Sequence, residues 1–479
     1  MKTTRRETIK LLALSGSAAL PILGQAESAG QGSYLDILKA LSQLKDKPSK
    51  LRFMIPNGCQ ANLKPLQALL SEKAGISLDY AVAPVDDINT QLSLSVGSDD
   101  LGDLDLALPA TFGLPDLATN KVIQPLDRFA TQYEPSGFQS DALYTLGDYF
   151  HNNLFGYQTD GDAYTMFYNR LWLEDTNYQK SYEDRFGRVL AVPDTWEELD
   201  RQMQFFHAPD QGRYGGSLYR MAGYLAWEWW VRFHAKGYFP LKDDLEPQID
   251  NAAGVAALEE LIRAGQYLSP GSRTNGLFEN WAEYGQGQCY CNIGWGGTQK
   301  YLNSSESRMR GKLAYSPIPG GVIRGQTVSI PYFNWGWNYT VPTAARSPEA
   351  SYLVALLAVS PELSSLAVRE NGFFDPFRER HYQDDVIKQM YSESFLEAHR
   401  KSMQNSIPDF YLVGQTTYMA TLKTYLHRAL RGDMSPADAL RSAANSWRGL
   451  HHRFGLETQL KTWQKLKSRY PKTLRALLT

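Results

Sequence analysis

The sequence predicts an α/β protein divided into two lobes, and three observations carry that expectation. The chain has 479 residues, well past the ~250–300 residues at which single hydrophobic cores stop growing. Hydrophobic residues make up 43% of it and charged residues 21%, the balance of a chain that packs a core. From residue 51 onward, apolar runs follow the order strand, helix, strand, helix, strand, which is how a parallel sheet with helices on its faces begins.

Leu51, Phe53, Met54 and Ile55 form the first apolar run. Asn62 then stands as the N-cap of a helix whose Leu63, Leu66, Leu69 and Leu70 share a face, with Gly75 as its stop. Residues 78–82 read as a second strand, 88–96 as a helix, and 104–108 as a third strand ended by Pro109. Ligands in such sheets sit beyond the carboxyl ends of strands. Asn57, Gly58 and Gln60 after the first strand, and Thr111 and Phe112 after the third, are therefore candidates by position. Further helix starts are marked by a capping box from Thr195 to Glu198, and by Ser347, Ser360 and Ser435, each followed by Pro. With no repeats and no low-complexity linker, the lobes are expected to be joined by short crossovers.

Charge and composition exclude several classes. Lys and Arg number 49 against 51 Asp and Glu, so there is no positive field that would draw nucleic acid or an anionic membrane surface. Residues 1–26 read as a signal peptide: Lys2, Arg5, Arg6 and Lys10 precede a short apolar stretch and the small residues Gly24 and Ala26. Arg5 and Arg6 with Lys10 resemble a twin-arginine export signal, with Thr8 where an aromatic residue is usual. No Cys lies near the cleavage site to carry a lipid, so a Gram-negative periplasm is expected. The three Cys, at 59, 289 and 291, read as buried free thiols or as one disulfide between Cys59 and a member of the pair. No cofactor or metal is expected, because the eight His show no zinc-type spacing.

An ordered series of blocks resembles the family 1 extracellular solute-binding proteins, the sugar-binding components of ABC importers, over almost the whole mature chain. Asp105 to Leu108, with Gly113, Leu114 and the run from Val122 to Asp127, is similar to the family's strand, binding loop and helix lead. Asp160, Gly161, Asp162 and then Phe167 to Arg170 resemble its first crossover, and Pro193 to Leu199 its Thr-Trp-Asp-Glu-Leu helix start. Gly287 to Trp295 resembles a further strand, with Cys289 and Cys291 where small residues or Met are usual. Lys312 to Gly320, Trp337 to Pro342, Asn371 to Arg378 and Leu430 to Trp447 complete the series.

The resemblance implies a type II periplasmic-binding-protein fold, each lobe a mixed, mainly parallel sheet flanked by helices, with three crossovers and a ligand cleft between lobes. Lobe one would hold residues 33–143 and 318–390, and lobe two residues 144–317 and 391–479. It also implies a monomer that closes on a carbohydrate and presents itself to the permease subunits of an ABC transporter in the inner membrane.

Sugar recognition needs flat apolar faces for the C–H side of a ring and fixed polar groups for its hydroxyls. The aromatic supply is generous, with 28 Tyr and 11 Trp. Trp295 matches a position where the family stacks an aromatic on a sugar, and Tyr224 and Trp227 align loosely with a sugar-contacting segment. Trp335 and Trp337 share one face of an extended segment, Asp160 and Asp162 share one face of a strand at a crossover, and Asp375 lies in the turn before Arg378. Two rival readings remain: the same fold around a polyol, phosphodiester, polyamine or iron chelate, and a polysaccharide-degrading enzyme using Asp160 and Asp162. No nucleophile or phosphate-loop motif supports the enzyme.

Overall fold

The computed structural model describes residues 31–95 and 104–479; the signal-peptide reading of residues 1–26 lies outside them. Two sheets organise the chain. In the first, strand β1 (Lys50–Pro56) pairs in parallel with β2 (Ser77–Ala83) and with β3 (Leu106–Ala107). Helix Lys64–Leu69 and its continuation over Leu70–Ala74 cross between β1 and β2 and end on Gly75, whose φ of 65° is left-handed and suits a residue without Cβ. Asn62 does not cap this helix. Its side-chain amide donates to the carbonyl of Ala367 at 2.8 Å, and Pro65 in the first turn needs no cap partner.

A hairpin of β4 (Tyr149–Phe150) and β5 (Asn153–Leu154) precedes β6 (Gly156–Gln158), which enters the first sheet beside β13 (Asn338–Thr340). The first sheet thus runs β2-β1-β3-β13-β6. The second comprises β7 (Thr165–Asn169), β8 (Tyr214–Ser217), β9 (Cys289–Gly294) and β10 (Leu313–Pro317), in the order β10-β7-β9-β8. A hairpin of β11 (Gly321–Ile323) and β12 (Gln326–Val328) decorates the return path.

Two expectations are corrected here. The sheets are mixed, but not mainly parallel: β13 is antiparallel to β3 and β6, and β7 is antiparallel to β9 and β10. Where a chain crosses between lobes and returns, the leaving and returning strands lie side by side and run in opposite directions. The second correction concerns the first boundary. Tyr157 pairs with Tyr339 in the first sheet, so the chain leaves that sheet after Gln158 and not at residue 143. Residues 159–162 are irregular, so Asp160 and Asp162 do not stand on a strand.

The crossover of residues 159–164 meets the return segment, where Ala163 bridges Phe333, and Tyr332 of that segment in turn bridges Ile407. Helix Pro361–Val368 packs against Lys64–Leu69, while helix Glu393–Asn405 packs on β10, which sets the third crossover between them. Helices Gln415–Leu430 and Pro436–Phe454 then cover helices Leu225–His234 and Ala252–Ala264 on the second lobe. Thr195, Ser360 and Ser435 cap as expected, through hydroxyls that accept from the amides of Glu198, Leu363 and Asp438. Ser347 makes no such bond. Cys59, Cys289 and Cys291 are buried free thiols. Among the described residues, no single helix is long and apolar enough to cross a membrane.

Candidate functional site

The site grows from elements of both lobes. β9 delivers Trp295 at its carboxyl end, where that residue also precedes the helix Gly296–Leu302. The return segment supplies Trp335 and Trp337, which bracket Gly336 at φ 77°. A Cβ on Gly336 would fall 2.5 Å from the Gln158 amide and 2.6 Å from Phe333, so only glycine lets the backbone turn here. Helix Leu225–His234 brings Trp227, with Tyr224 at its N-cap.

These rings pack on one another. The Trp295 and Trp335 centroids are 5.9 Å apart and nearly perpendicular, Trp227 stands 5.2 Å from Trp335, and Tyr224 stacks on Trp335 at 6.1 Å. Tyr164 adds a further face 4.9 Å from Trp295. The indole of Trp295 donates from Nε1 to Asn334 Oδ1 at 3.0 Å, which fixes its plane. The ammonium of Lys423 lies 5.3 Å from the Trp227 ring.

Between the rings lies a cavity of about 30 Å³ bounded by Asp162, Trp281, Trp295, Trp335, Trp337 and Phe373. Val85, Leu277 and Gly297 complete the wall. That space is about the share of one liquid water, so the lobes and rings must part to admit a solute. The indole N–H groups of Trp281 and Trp335 are buried and without a hydrogen-bond partner among the described residues, as is the side-chain amide nitrogen of Asn334. Buried donors of this kind are costly unless something accepts from them.

Beneath the cavity lie three carboxylates. Asp162 accepts from the amide of Gly336 at 3.2 Å, and Asp160 accepts from the amide of Asp375 at 2.6 Å. Asp375 accepts from the amide of Gly297 at 2.9 Å and from the Tyr391 hydroxyl at 2.6 Å. Burial pushes Asp160 and Asp162 well above the usual carboxylate range, and repulsion from the neighbouring carboxylates adds to it. Burial likewise raises Asp375, to about 6, against the pull of Lys300. Lys300 is pushed down to about 8 by burial and donates to the carbonyls of Glu370, Gly372 and Phe374 at 2.9–3.1 Å. Through Lys300 and Gly297, the helix that follows β9 grips the segment 370–375 on the far side of the cleft.

The structure brings together most of the residues picked out from the sequence. Trp295, Trp335, Trp337 and Asp162 line the cavity, Tyr224 and Trp227 pack behind Trp335, and Asp160 and Asp375 sit one layer deeper. Thr111 is buried and spent on Gln158 Oε1 and Asn338 Oδ1, at 3.1 and 2.5 Å. Asn57 is tied to the side chain of Gln60 and does not line the cavity. Val85, Trp281 and Phe373 are wall residues that sequence reasoning missed. Val85 follows the carboxyl end of β2, so the rule applied to the first and third strands would have found it.

Comparison with known proteins agrees with this geometry. Residues 67–390 match the family described as bacterial extracellular solute-binding protein. A mannitol-binding protein of Pseudomonas aeruginosa is 23% identical over 245 residues, 50% of this chain and 54% of that protein, so the chain spans about half the length of this curated relative. Among solved structures, a maltose-bound protein of T. maritima aligns with a TM-score of 0.69 at 18% identity, covering 84% of this chain and 99% of that one. A D-mannitol-bound solute-binding protein of Agrobacterium vitis gives 0.68 at 16%, covering 85% and 99%. One from Agrobacterium radiobacter in complex with ribitol gives 0.70 at 17%, covering 84% and 98%. The family match runs from within the helix that follows β1 to the third crossover, and the chain therefore belongs to the bacterial extracellular solute-binding proteins.

Proposed function

We propose that this protein captures a sugar or polyol between its lobes and delivers it to the permease subunits of an ABC importer in the inner membrane. The observation that carries the reading is the aromatic box of Trp227, Trp295 and Trp335 over Asp162, with the indole N–H groups of Trp281 and Trp335 left to be satisfied. Flat faces suit the C–H side of a carbohydrate, and an acid acceptor beside indole donors suits its hydroxyls. The mannitol, ribitol and maltose named for the similar proteins are of the same chemical class.

Binding without turnover is the role the acids favour. Asp160 does not line the cavity, and its carboxyl lies against that of Asp162, with oxygens within 4.8 Å, whereas a glycosidase needs its two carboxyl groups to flank the scissile bond. The protein works as a monomer, exported to a Gram-negative periplasm on the twin-arginine-like signal of residues 1–26. Thermal unfolding of the protein lacking residues 1–26 tests the ligand class, with mannitol, ribitol, glucose, maltose and spermidine added singly. A ligand at 100 times its Kd contributes about 2.7 kcal/mol, so a sugar or polyol should raise the midpoint. Stabilisation by spermidine alone would overturn the carbohydrate assignment.

A further inference from the structure

We propose that Asp116 is a positioning residue that clasps the two lobes shut around the solute. It stands on helix Leu114–Thr119, just beyond the carboxyl end of β3 in the first sheet. Its Oδ1 accepts from the amide of Gly414 at 2.8 Å and its Oδ2 from the amide of Thr416 at 3.0 Å. Those amides open helix Gln415–Leu430, which packs on the second lobe. Gly414, the N-cap residue of this helix, has no side chain with which to cap it, whereas Thr195, Ser360 and Ser435 each supply a hydroxyl to the helix they begin. A helix N-terminus carries partial positive charge and unmet N–H groups, which a carboxylate satisfies. Here the carboxylate comes from the other lobe.

Each half of the clasp is fixed in its own lobe. Gly414 has φ 83°, and a Cβ there would fall 2.0 Å from the Phe454 ring, so the helix start lies hard against helix Pro436–Phe454. Gln459 also donates to the carbonyl of Val413 at 2.7 Å. On the opposite side, Asn89 pins the segment leading to Asp116 by bonding the amide and the carbonyl of Ala110, at 2.8 and 3.1 Å. Both halves reach the aromatic box: Phe112 packs edge-on to Trp335 at 5.7 Å, and Lys423, on the capped helix, lies 5.3 Å from the Trp227 ring. Parting the lobes to admit a solute pulls the carboxylate from the two amides, so the clasp favours the closed form alone. Its loss should speed escape of a captured solute and leave the rate of capture unchanged. The role rests on the capture reading above, but not on which solute is taken.

The test compares the chain without residues 1–26 with its Asp116→Ala, Asp116→Asn and Ser435→Ala variants. Ser435→Ala removes a cap that lies within one lobe. Without solute, both Asp116 variants should show a larger radius of gyration by small-angle X-ray scattering. Amide exchange in the peptide 412–418 should be at least about fivefold faster, the factor that an ordinary N-cap is worth. Ser435→Ala should lower the melting midpoint and change neither reading. With D-mannitol, stopped-flow tryptophan fluorescence should show release at least about fivefold faster in Asp116→Ala, with the association rate of the parent. Asp116→Asn carries the comparison if Asp116→Ala does not fold. Faster exchange with an unchanged radius would reduce Asp116 to a local cap and overturn the clasp, as would unchanged exchange or release at the parent's rate. A parent that does not respond to mannitol would count against the solute class alone, because the measurements without solute decide the clasp.

Discussion

Trp295 Nε1 donates to Asn334 Oδ1 at 3.0 Å, a bond that joins the end of β9 to the return segment and sets the plane of the ring at the centre of the site. Removing the acceptor frees the ring without removing it. Asn334→Ala should weaken sugar or polyol binding by about 1 kcal/mol, roughly fivefold, which is the usual net worth of one such bond. Trp295→Ala should cost at least ~2 kcal/mol of binding, as central aromatic anchors do. Because Trp295 is buried, Trp295→Phe is the control that keeps the fold. Calorimetric titration with mannitol checks all three, and unchanged affinity in Trp295→Ala would remove this residue from the binding face.

Glu228 lies fully buried between two guanidinium groups. Arg220 donates to both its oxygens at 2.5 and 3.1 Å, and Arg232 donates from Nε at 2.9 Å while its other arms hold Asp200. This network locks the helix that carries Trp227. Glu228→Gln leaves the buried Arg220 guanidinium without its carboxylate while Arg232 keeps Asp200, and stability should fall by about 3–5 kcal/mol. A urea unfolding midpoint within error of the parent would show that the network contributes nothing.

Gly161 sits between Asp160 and Asp162, where a Cβ would fall 2.0 Å from the carbonyl oxygen of Pro376. That carbonyl is backbone and cannot swing aside. The peptide is also held on its other side, since the Gly161 oxygen lies 2.6 Å from His399 Nε2. Gly161→Ala should therefore destabilise by about 1–3 kcal/mol, the usual cost of overpacking, and displace Asp162 enough to weaken the ligand. Denaturant unfolding and a mannitol titration measure the two effects separately.

Asp409 gives a pH dependence with a definite sign. Burial raises its carboxyl from 3.8 to about 6, against the amide of Phe410, the Tyr332 hydroxyl and the Gln415 amide that donate to it. The fold binds this proton more tightly than the unfolded chain does. The resulting stabilisation is complete below about 4 and is lost as the pH rises through about 6. Asp409→Asn mimics the protonated form, and Gln415 can turn its unpartnered Oε1 toward the new amide. The variant should gain stability over the parent at pH 7–8 and match it near pH 4. A stability difference that does not change between pH 4 and pH 7 would contradict this assignment.

Much of the architecture was legible because short-range rules decide it. The apolar run of β1, the stop at Gly75 and the caps at Thr195, Ser360 and Ser435 are all consequences of neighbours a few residues apart. Trp295, Trp335 and Trp337 could be picked out because they close recognisable segments. Asn62 misled, since a residue of cap type was recruited by Ala367 from 305 positions away. Trp281 carried no signal: it stands on a helix with tertiary partners that no local pattern shows. Asp160 and Asp162 were read as a pair, but their third companion, Asp375, lies over 200 residues downstream.

The sequence by itself determined a two-lobed α/β chain, the starts of several helices and the supply of aromatic and acidic groups near the crossovers, because periodicity and capping act within a few residues. Tertiary structure alone decided that the sheets are mixed, that the chain leaves the first sheet after Gln158, and that Trp227, Trp281, Trp295 and Trp335 meet around Asp162. Those outcomes depend on which distant strands pair and how the crossovers lie against one another. The clustering of Asp160, Asp162 and Asp375 is of the same kind, a convergence of charge set by packing and not by spacing.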